Sequence, residues 1–218
     1  MKLISVNVGL PREVNWRGKT VRTSIWKEPV RGRVRVSRLN LAGDEQSDLS
    51  VHGGSDKAVY AYPSAHYPYW NSQLGSTDLP WGSFGENFTI EGLLEDQVQV
   101  GGVVRAGSAE FVVTQPRMPC FKLGIRFDRP DMVKRFLQSR RIGFYLAVLR
   151  EGDVGAGDSI EYADPQDTGL TITDIVNLYA FDSENQELLR RASELPALPG
   201  SWREYFRQRL WDADATPG

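Results

Sequence analysis

The 218-residue chain is poor in the residues that build common sites: it has one cysteine and two histidines. A single thiol forms no internal disulfide, which excludes a secreted disulfide scaffold and fits a reducing compartment. His52, His66 and that lone cysteine do not make a zinc site. Neither sign of charge dominates, with 26 basic against 28 acidic side chains and a net charge of −2. That balance removes the basic field of a nucleic-acid binder. No apolar run is long enough for a bilayer, and the opening "MKLISVNVGLPREVNW" soon turns polar. Neither a signal peptide nor a membrane span is expected, so the expected location is the cytoplasm. The GxSxG elbow, the P-loop and the dinucleotide fingerprint are all missing. "GDVGAGDS" at 152–159 has glycines at the wrong spacing and reads as a hairpin turn.

What remains is an ordinary globular composition, 40% apolar and 25% charged, with 21 glycines. Before residue 170 the apolar residues come in short, often alternating runs. "KLISVNVG", "TSIWKEPV", "GRVRVSRLNL", "KAVYAYP", "NFTIEG", "DQVQVGGVVRAG", "AEFVVTQ" and "FYLAVLREG" read as strands. In the third, Val34 and Val36 face one side and Arg33, Arg35 and Ser37 the other. So many short strands predict a barrel or sandwich. Two helices are expected among them, in "PSAHYPYWNSQLG", limited by Pro68, and in "RPDMVKRFLQSRR". After Asp164-Pro165 three helices follow: "TITDIVNLYAF", "DSENQELLRRASELP" and "SWREYFRQRLW". Asp182 or Ser183 is expected to cap the second, and Ser201 with Glu204 to form a capping box on the third. The expected division is a β-rich unit at 1–165 and a small helical bundle at 166–218.

Three constellations can carry chemistry. "DLSVHGGSDKAVYAY" (48–62) sets His52 before Gly53 and Gly54, then Asp56 and Lys57. Paired glycines let backbone N–H groups form an anion nest, and the flanking side chains can hold an anion or move protons. A plain polar turn explains the same residues. "GSFGENFTIEG" (82–92) places Glu86 and Asn87 between aromatics, where they could bind the edge of a heterocycle or simply form a turn. "TQPRMPCFKL" (114–123) holds the lone thiol, Cys120, after two prolines and between Arg117 and Lys122. Prolines deny ladder hydrogen bonds, so this is a loop off a strand end. Neighbouring cations favour thiolate, the nucleophile and soft-metal ligand; a buried structural thiol is the alternative. More weakly, "KTVRTSIWK" (19–27) could line one strand face with Lys19, Thr23 and Lys27 and receive a phosphate, or be a charged outer face.

In order, "GDEQSDLSVHGGSDKAVYAY", "FGENF", "QPRMPCFKL", "RIGFYLAVLREG" and "GAGDSIE" resemble the MOSC domain family, the module at the C-terminus of molybdenum-cofactor sulfurases. The stretch "LTITDIVNLYAF … SWREYFRQRL" is similar to the three-helix (3-alpha) tail of its YiiM-like branch. The resemblance implies a mainly β, MOSC-type β-barrel followed by a helical bundle. It implies a chain that holds molybdenum cofactor (molybdopterin), with Cys120 as molybdenum ligand or sulfur carrier. Thr23, Lys27, Gly53, Gly54, Lys57, Asn87 and Arg117 become candidates to bind the cofactor, and Cys120, His52, Asp56 and Glu86 candidates for catalysis. The implied activity is an oxidoreductase reducing N-hydroxylated small molecules such as 6-hydroxylaminopurine, with electrons from a separate flavoprotein reductase. The chain has no flavin or nicotinamide motif of its own. The pyridoxal phosphate of sulfurases belongs to another domain and is not expected here. Other readings are a sulfur carrier with a Cys120 persulfide and a cofactor-storage module. The helical tail could dock the reductase, pack on the barrel or form a homodimer.

Overall fold

A computed structural model describes residues 1–47, 53–163, 169–182 and 184–214, with residues 212–214 described by backbone alone. Twelve strands are found among these residues: β1 (Lys2–Val8), β2 (Arg12–Trp16), β3 (Lys19–Thr23), β4 (Glu28–Pro29), β5 (Arg33–Val36), β6 (Val59–Pro63), β7 (Phe88–Glu91), β8 (Val103–Ala106), β9 (Ala109–Pro116), β10 (Phe144–Arg150), β11 (Gly152–Gly155) and β12 (Ile160–Ala163). The helices are α1 (Tyr67–Leu74), α2 (Phe121–Phe127), α3 (Met132–Ser139), α4 (Ile172–Ala180), α5 (Gln186–Glu194) and α6 (Gly200–Asp214).

Eight strands form one sheet in the order β12-β8-β9-β10-β6-β7-β1-β4. All neighbours are antiparallel except β6 and β7, which run parallel. β6 sits near the middle, and all five of its residues are buried. The expected barrel does not close. Leu3 N donates to Asp158 O (2.9 Å) and Gly157 N to Leu3 O (2.7 Å), and one bridge joins Lys2 to Ser159. These contacts bring β1 beside the start of β12 without a continuous ladder, so the sheet keeps its ends at β12 and β4. β5 pairs with β11, and β2 with β3, as separate ribbons.

Several local expectations change. "DQVQVGGVVRAG" forms a strand only at Val103–Ala106; before it the chain turns, with Gly102 N donating to Gln99 O (3.1 Å). "KTVRTSIWK" leaves the ladder after Thr23, and "REVNW", unflagged in the sequence, is its partner strand. In "GDVGAGDS" the turn is confined to the second half, where Asp158 N donates to Gly155 O (3.1 Å); Gly152–Gly155 is a strand because its backbone finds β5. Pro68 lies in the first turn of α1, where its missing N–H costs nothing, so it starts that helix instead of limiting it. The loop expected after β9 ends at Cys120; Phe121–Phe127 then forms α2, which the sequence did not flag, and buries Leu123 and Ile125.

The helices α1 and α3 close over the sheet through an aromatic cluster. Phe136 stacks on Trp70 (5.4 Å between centroids), Tyr62 (5.9 Å) and Phe84 (5.6 Å), and all four are fully buried. The C-terminal helices share this protein-wide core, with Ile172, Ile175, Leu189 and Phe206 buried in it. Val100 N donates to Leu170 O (3.0 Å) and Ile172 N to Val98 O (2.9 Å), while the Trp202 indole donates to Gln115 on β9. Thr171 and Asp174 form the capping box of α4. Asn185 caps α5 in place of Asp182; Ser183 lies outside the described residues. Pro199 O accepts from Trp202 N and Arg203 N, starting α6 ahead of Ser201. Glu204 pairs with Arg207 instead of capping. The expected boundary near 165 also falls outside the described residues. Phe136→Ala should destabilise the protein by about 3–5 kcal/mol, measured by urea denaturation.

Candidate functional site

One pocket, enclosing about 570 Å³ with its mouth, gathers residues from distant parts of the chain. Its wall includes Cys120, Arg117, Lys57, Asn87, Lys27 and Thr23. β9 delivers the first two. Its ladder with β10 ends at the Pro116–Phe144 pair, and Arg117 to Pro119 then run free of the sheet. Cys120, extended and half-buried, precedes the first turn of α2 and lines the pocket.

Arg117 is held from both ends. Its backbone N–H donates to Gly143 O (3.3 Å). The Gly143 N–H is held by Glu95 (2.7 Å), which also binds His66 Nε2 (2.8 Å). The Tyr60 hydroxyl donates to the neighbouring Ile142 carbonyl (2.8 Å). Gly143 has φ +68°, and a Cβ there would lie 2.4 Å from Ala61 O, so no other residue fits. The Arg117 guanidinium lies over Tyr60 and Phe136, 5.3 and 5.5 Å from their ring centres. Only 6% of Arg117 is exposed, and its Nη1 has no hydrogen-bond partner among the described residues. Burial works against its charge, but Tyr60, Tyr145 and Cys120 outweigh that and raise its pKa, so it stays cationic. Burial raises the Tyr60 and Tyr145 phenols, which stay protonated.

The opposite wall is built on the chain after β3. The segment 23–27 presses against the 82–86 turn: Gly82 has φ +87°, and a Cβ there would lie 2.5 Å from Lys27 O. Thr23 is fully buried and its hydroxyl accepts from Ile25 N (3.2 Å). The Lys27 ammonium is hydrogen-bonded to the Asp44 carboxylate, with side-chain exposures of 8% and 1%. Asp44 also accepts from Gly9 N and from Asn87 Nδ2, both at 2.9 Å. Asn87 Oδ1 in turn accepts from Tyr60 N (3.1 Å), so Asn87 is fixed at both ends of its amide.

Glu86, Asp56, Gly53 and Gly54 do not line this pocket. Glu86 is fully buried beside the pocket but turned into its own loop, accepting from Gly82 N (2.9 Å), Phe84 N (3.0 Å), Thr89 Oγ1 (3.0 Å) and Tyr67. Burial raises its carboxyl above the usual range, partly offset by those donors. Asp56 is exposed, and only its backbone carbonyl makes a long-range bond, accepting from Thr114 Oγ1 (2.7 Å). Gly53 and Gly54 precede the short helical turn that carries Lys57 and do not line the pocket. Burial lowers the Lys57 pKa, with Asp56 opposing. His52 lies outside the described residues.

The structure adds residues that the sequence did not flag. Ser24 lines the pocket with a buried hydroxyl that has no partner among the described residues. Strand alternation would have turned it away from Thr23, but the ladder has already ended there. Asp44, Tyr60 and Tyr145 also line the wall, as does Lys122, the cation that follows Cys120 in the sequence. Lys122 reaches Ser47 Oγ (3.3 Å). Among the described residues, no cluster of three or more His, Cys, Asp or Glu could hold a metal by itself. Any metal here would rest on the single thiol and on ligands brought with it.

The sequence pattern of the MOSC domain matches residues 48–161, and that of the YiiM-like 3-alpha helix domain matches residues 170–211. The chain belongs to the MOSC domain family, in its YiiM-like branch. It is 38% identical to Bacillus subtilis YflK over 207 residues, covering 95% of this chain and 93% of that protein. It is 31% identical to Escherichia coli YiiM over 206 residues, covering 87% and 90%. It is 29% identical to a Gibberella moniliformis protein named "Reductase", covering 91% of this chain but 36% of the fungal protein. The crystal structure of YiiM from Geobacillus stearothermophilus superposes with a TM-score of 0.80 at 35% identity, covering 96% of this chain and 98% of that one. No helix among the described residues is long and apolar enough to cross a membrane.

Glu86→Ala should leave the Gly82 and Phe84 N–H groups without an acceptor and cost at least about 2 kcal/mol of stability. Asp56→Ala should leave the urea midpoint within error. Equal midpoints for both variants would show that the Glu86 carboxylate does not hold the turn.

Proposed function

We propose that this chain binds molybdenum cofactor and reduces N-hydroxylated compounds, with 6-hydroxylaminopurine-type bases as the substrate class. The observation that carries the reading is the pairing, on one pocket wall, of the chain's only thiol with a buried guanidinium whose Nη1 has no partner. A soft thiolate suits molybdenum. An unpartnered buried donor beside it suits an anionic group that the protein itself does not supply.

The residues present fit the cofactor. Cys120 would ligate the metal. Arg117, Lys57 and Lys122, with the Ser24 hydroxyl, would hold the pterin's phosphate. Lys27 fits that task less well, because Asp44 already matches its charge. When bound, the cofactor supplies two-electron reduction, and the electrons come from a separate flavoprotein reductase. The chain's own residues do the rest. Arg117 keeps its positive charge in a buried setting, where it acts more strongly than in water. The Tyr60 and Tyr145 phenols, kept protonated, are donors and not bases. Asn87 presents a fixed wall because its amide is engaged on both sides. The fungal relative's name supports an oxidoreductase role, and the part of that protein outside the match leaves room for an electron-supplying segment.

Protein produced in a cofactor-replete host should carry stoichiometric molybdenum, and Cys120→Ser should lose it. The loaded protein should reduce 6-hydroxylaminopurine with a chemically reduced dye as donor. Loaded protein that leaves a panel of N-hydroxylated substrates untouched would refute the reductase reading. Molybdenum-free protein with a labile sulfur on Cys120 would favour a persulfide carrier.

A further inference from the structure

We propose that Lys27, locked to Asp44, is the proton donor of this pocket and not one of its anion anchors. The inference rests on the reductase reading above. Breaking the N–O bond of a hydroxylamine follows R–NHOH + 2e⁻ + 2H⁺ → R–NH₂ + H₂O. Two electrons arrive from the reduced flavoprotein or dye, the oxygen leaves as water, and the nitrogen keeps the organic group. One proton must reach the departing oxygen within the pocket, where it passes from Lys27 Nζ. The second comes from solvent, which also reprotonates the lysine.

Three observations favour Lys27. First, the other acids named from the sequence are badly placed. Asp56 is exposed and off the pocket, and Glu86 is tied by four donors inside its own turn. Second, Lys27 lines the same pocket as Cys120, and its partner is immobile: Asp44 is fixed by Gly9 N and Asn87 Nδ2. The ammonium is positioned while Asp44 uses one of its three N–H donors. Third, the pair is neutral overall, which makes it a poor attractor of phosphate and leaves that task to Arg117, Lys57 and Lys122. Burial lowers the Lys27 pKa, while Asp44 and Glu86 pull it back up, so its proton is more easily released than that of a surface lysine. The other titratable or charged groups lining the pocket are Lys57, Arg117, Lys122, Cys120, Tyr60 and Tyr145.

Four variants test this: Lys27→Arg, Lys27→Met, Asp44→Asn and the double variant Lys27→Met/Asp44→Asn, which leaves no unpaired buried charge. His52→Asn is the rival, measured in parallel. A proton donor predicts that Lys27→Arg keeps molybdenum content and KM while kcat falls about 100-fold, because guanidinium is too weak an acid. An anchor predicts the reverse: Lys27→Arg is tolerated, and Lys27→Met loses molybdenum with kcat per bound metal unchanged. In wild type the rate should fall as pH rises through the Lys27 pKa. Asp44→Asn removes the anion that favours the ammonium, so that limb should move to lower pH. Without any cofactor, nitrogen-15 NMR of the lysine Nζ should show Lys27 titrating below an ordinary lysine, and lower still in Asp44→Asn. Full kcat in Lys27→Arg, an Nζ that titrates at or above the ordinary value, or an alkaline limb that moves with His52→Asn would overturn the proposal. If wild-type loaded protein reduces nothing, the reductase reading fails and the proton donor with it. If wild type is active and Lys27→Arg is equally active, only the proton donor fails.

Discussion

The pocket depends on one carboxylate. Asp44 binds the end of β1 through Gly9 N–H, the segment after β3 through Lys27, and the turn before β7 through Asn87. These three pieces are distant in sequence; β1 already pairs with β4 and β7, and Asp44 ties the ends of those ladders together at the pocket. A buried ion pair is not in itself a large stabiliser, because stripping water from two charges offsets their attraction. What makes this one tenable is that both Asp44 oxygens accept hydrogen bonds from fixed donors. Its contribution is geometric. It sets where Lys27 and Asn87 sit, and Asn87 in turn binds the backbone of Tyr60 in the central strand β6.

Across the pocket the opposite strategy applies. Arg117 has aromatic faces on two sides and no carboxylate partner, so its charge is left uncompensated among the described residues. One wall carries a neutralised pair and the other a bare cation beside a thiol. A field of that form favours an anionic group on the Arg117 side. The glycine at 143 matters to this arrangement because Arg117's backbone hangs from its carbonyl, and a side chain there would collide with β6.

Several residues that line the candidate pocket were legible in the sequence, for identifiable reasons. Prolines at 116 and 119 mark where β9 stops, and a thiol and an arginine just past a strand end naturally reach a pocket. Lys57 follows a glycine turn and begins the approach to β6. Asp44 and Ser24 were missed because nothing local marks them. Asp44 is one acid in a polar stretch, and its role exists only through partners 35 residues before and 43 after it in the chain. Ser24 was hidden by assuming that β3 continued to Lys27. Glu86 shows the converse error: a conspicuous acid beside glycines serves its own turn, and its neighbour Asn87 is the residue that faces the pocket. At the level of fold, alternation found most strands but could not tell an open sheet from a closed one, since closure depends on whether β1 and β12 pair fully.

The solitude of Cys120 has a practical side. Every other thiol-bearing position is absent from the 218 residues, and this one is half-buried on the pocket wall. A thiol-directed dye, spin label or heavy atom therefore lands at one address, without any prior mutagenesis. Quenching of such a label by the Tyr60 and Tyr145 rings, or its protection by a captured ligand, turns the native protein into its own occupancy gauge.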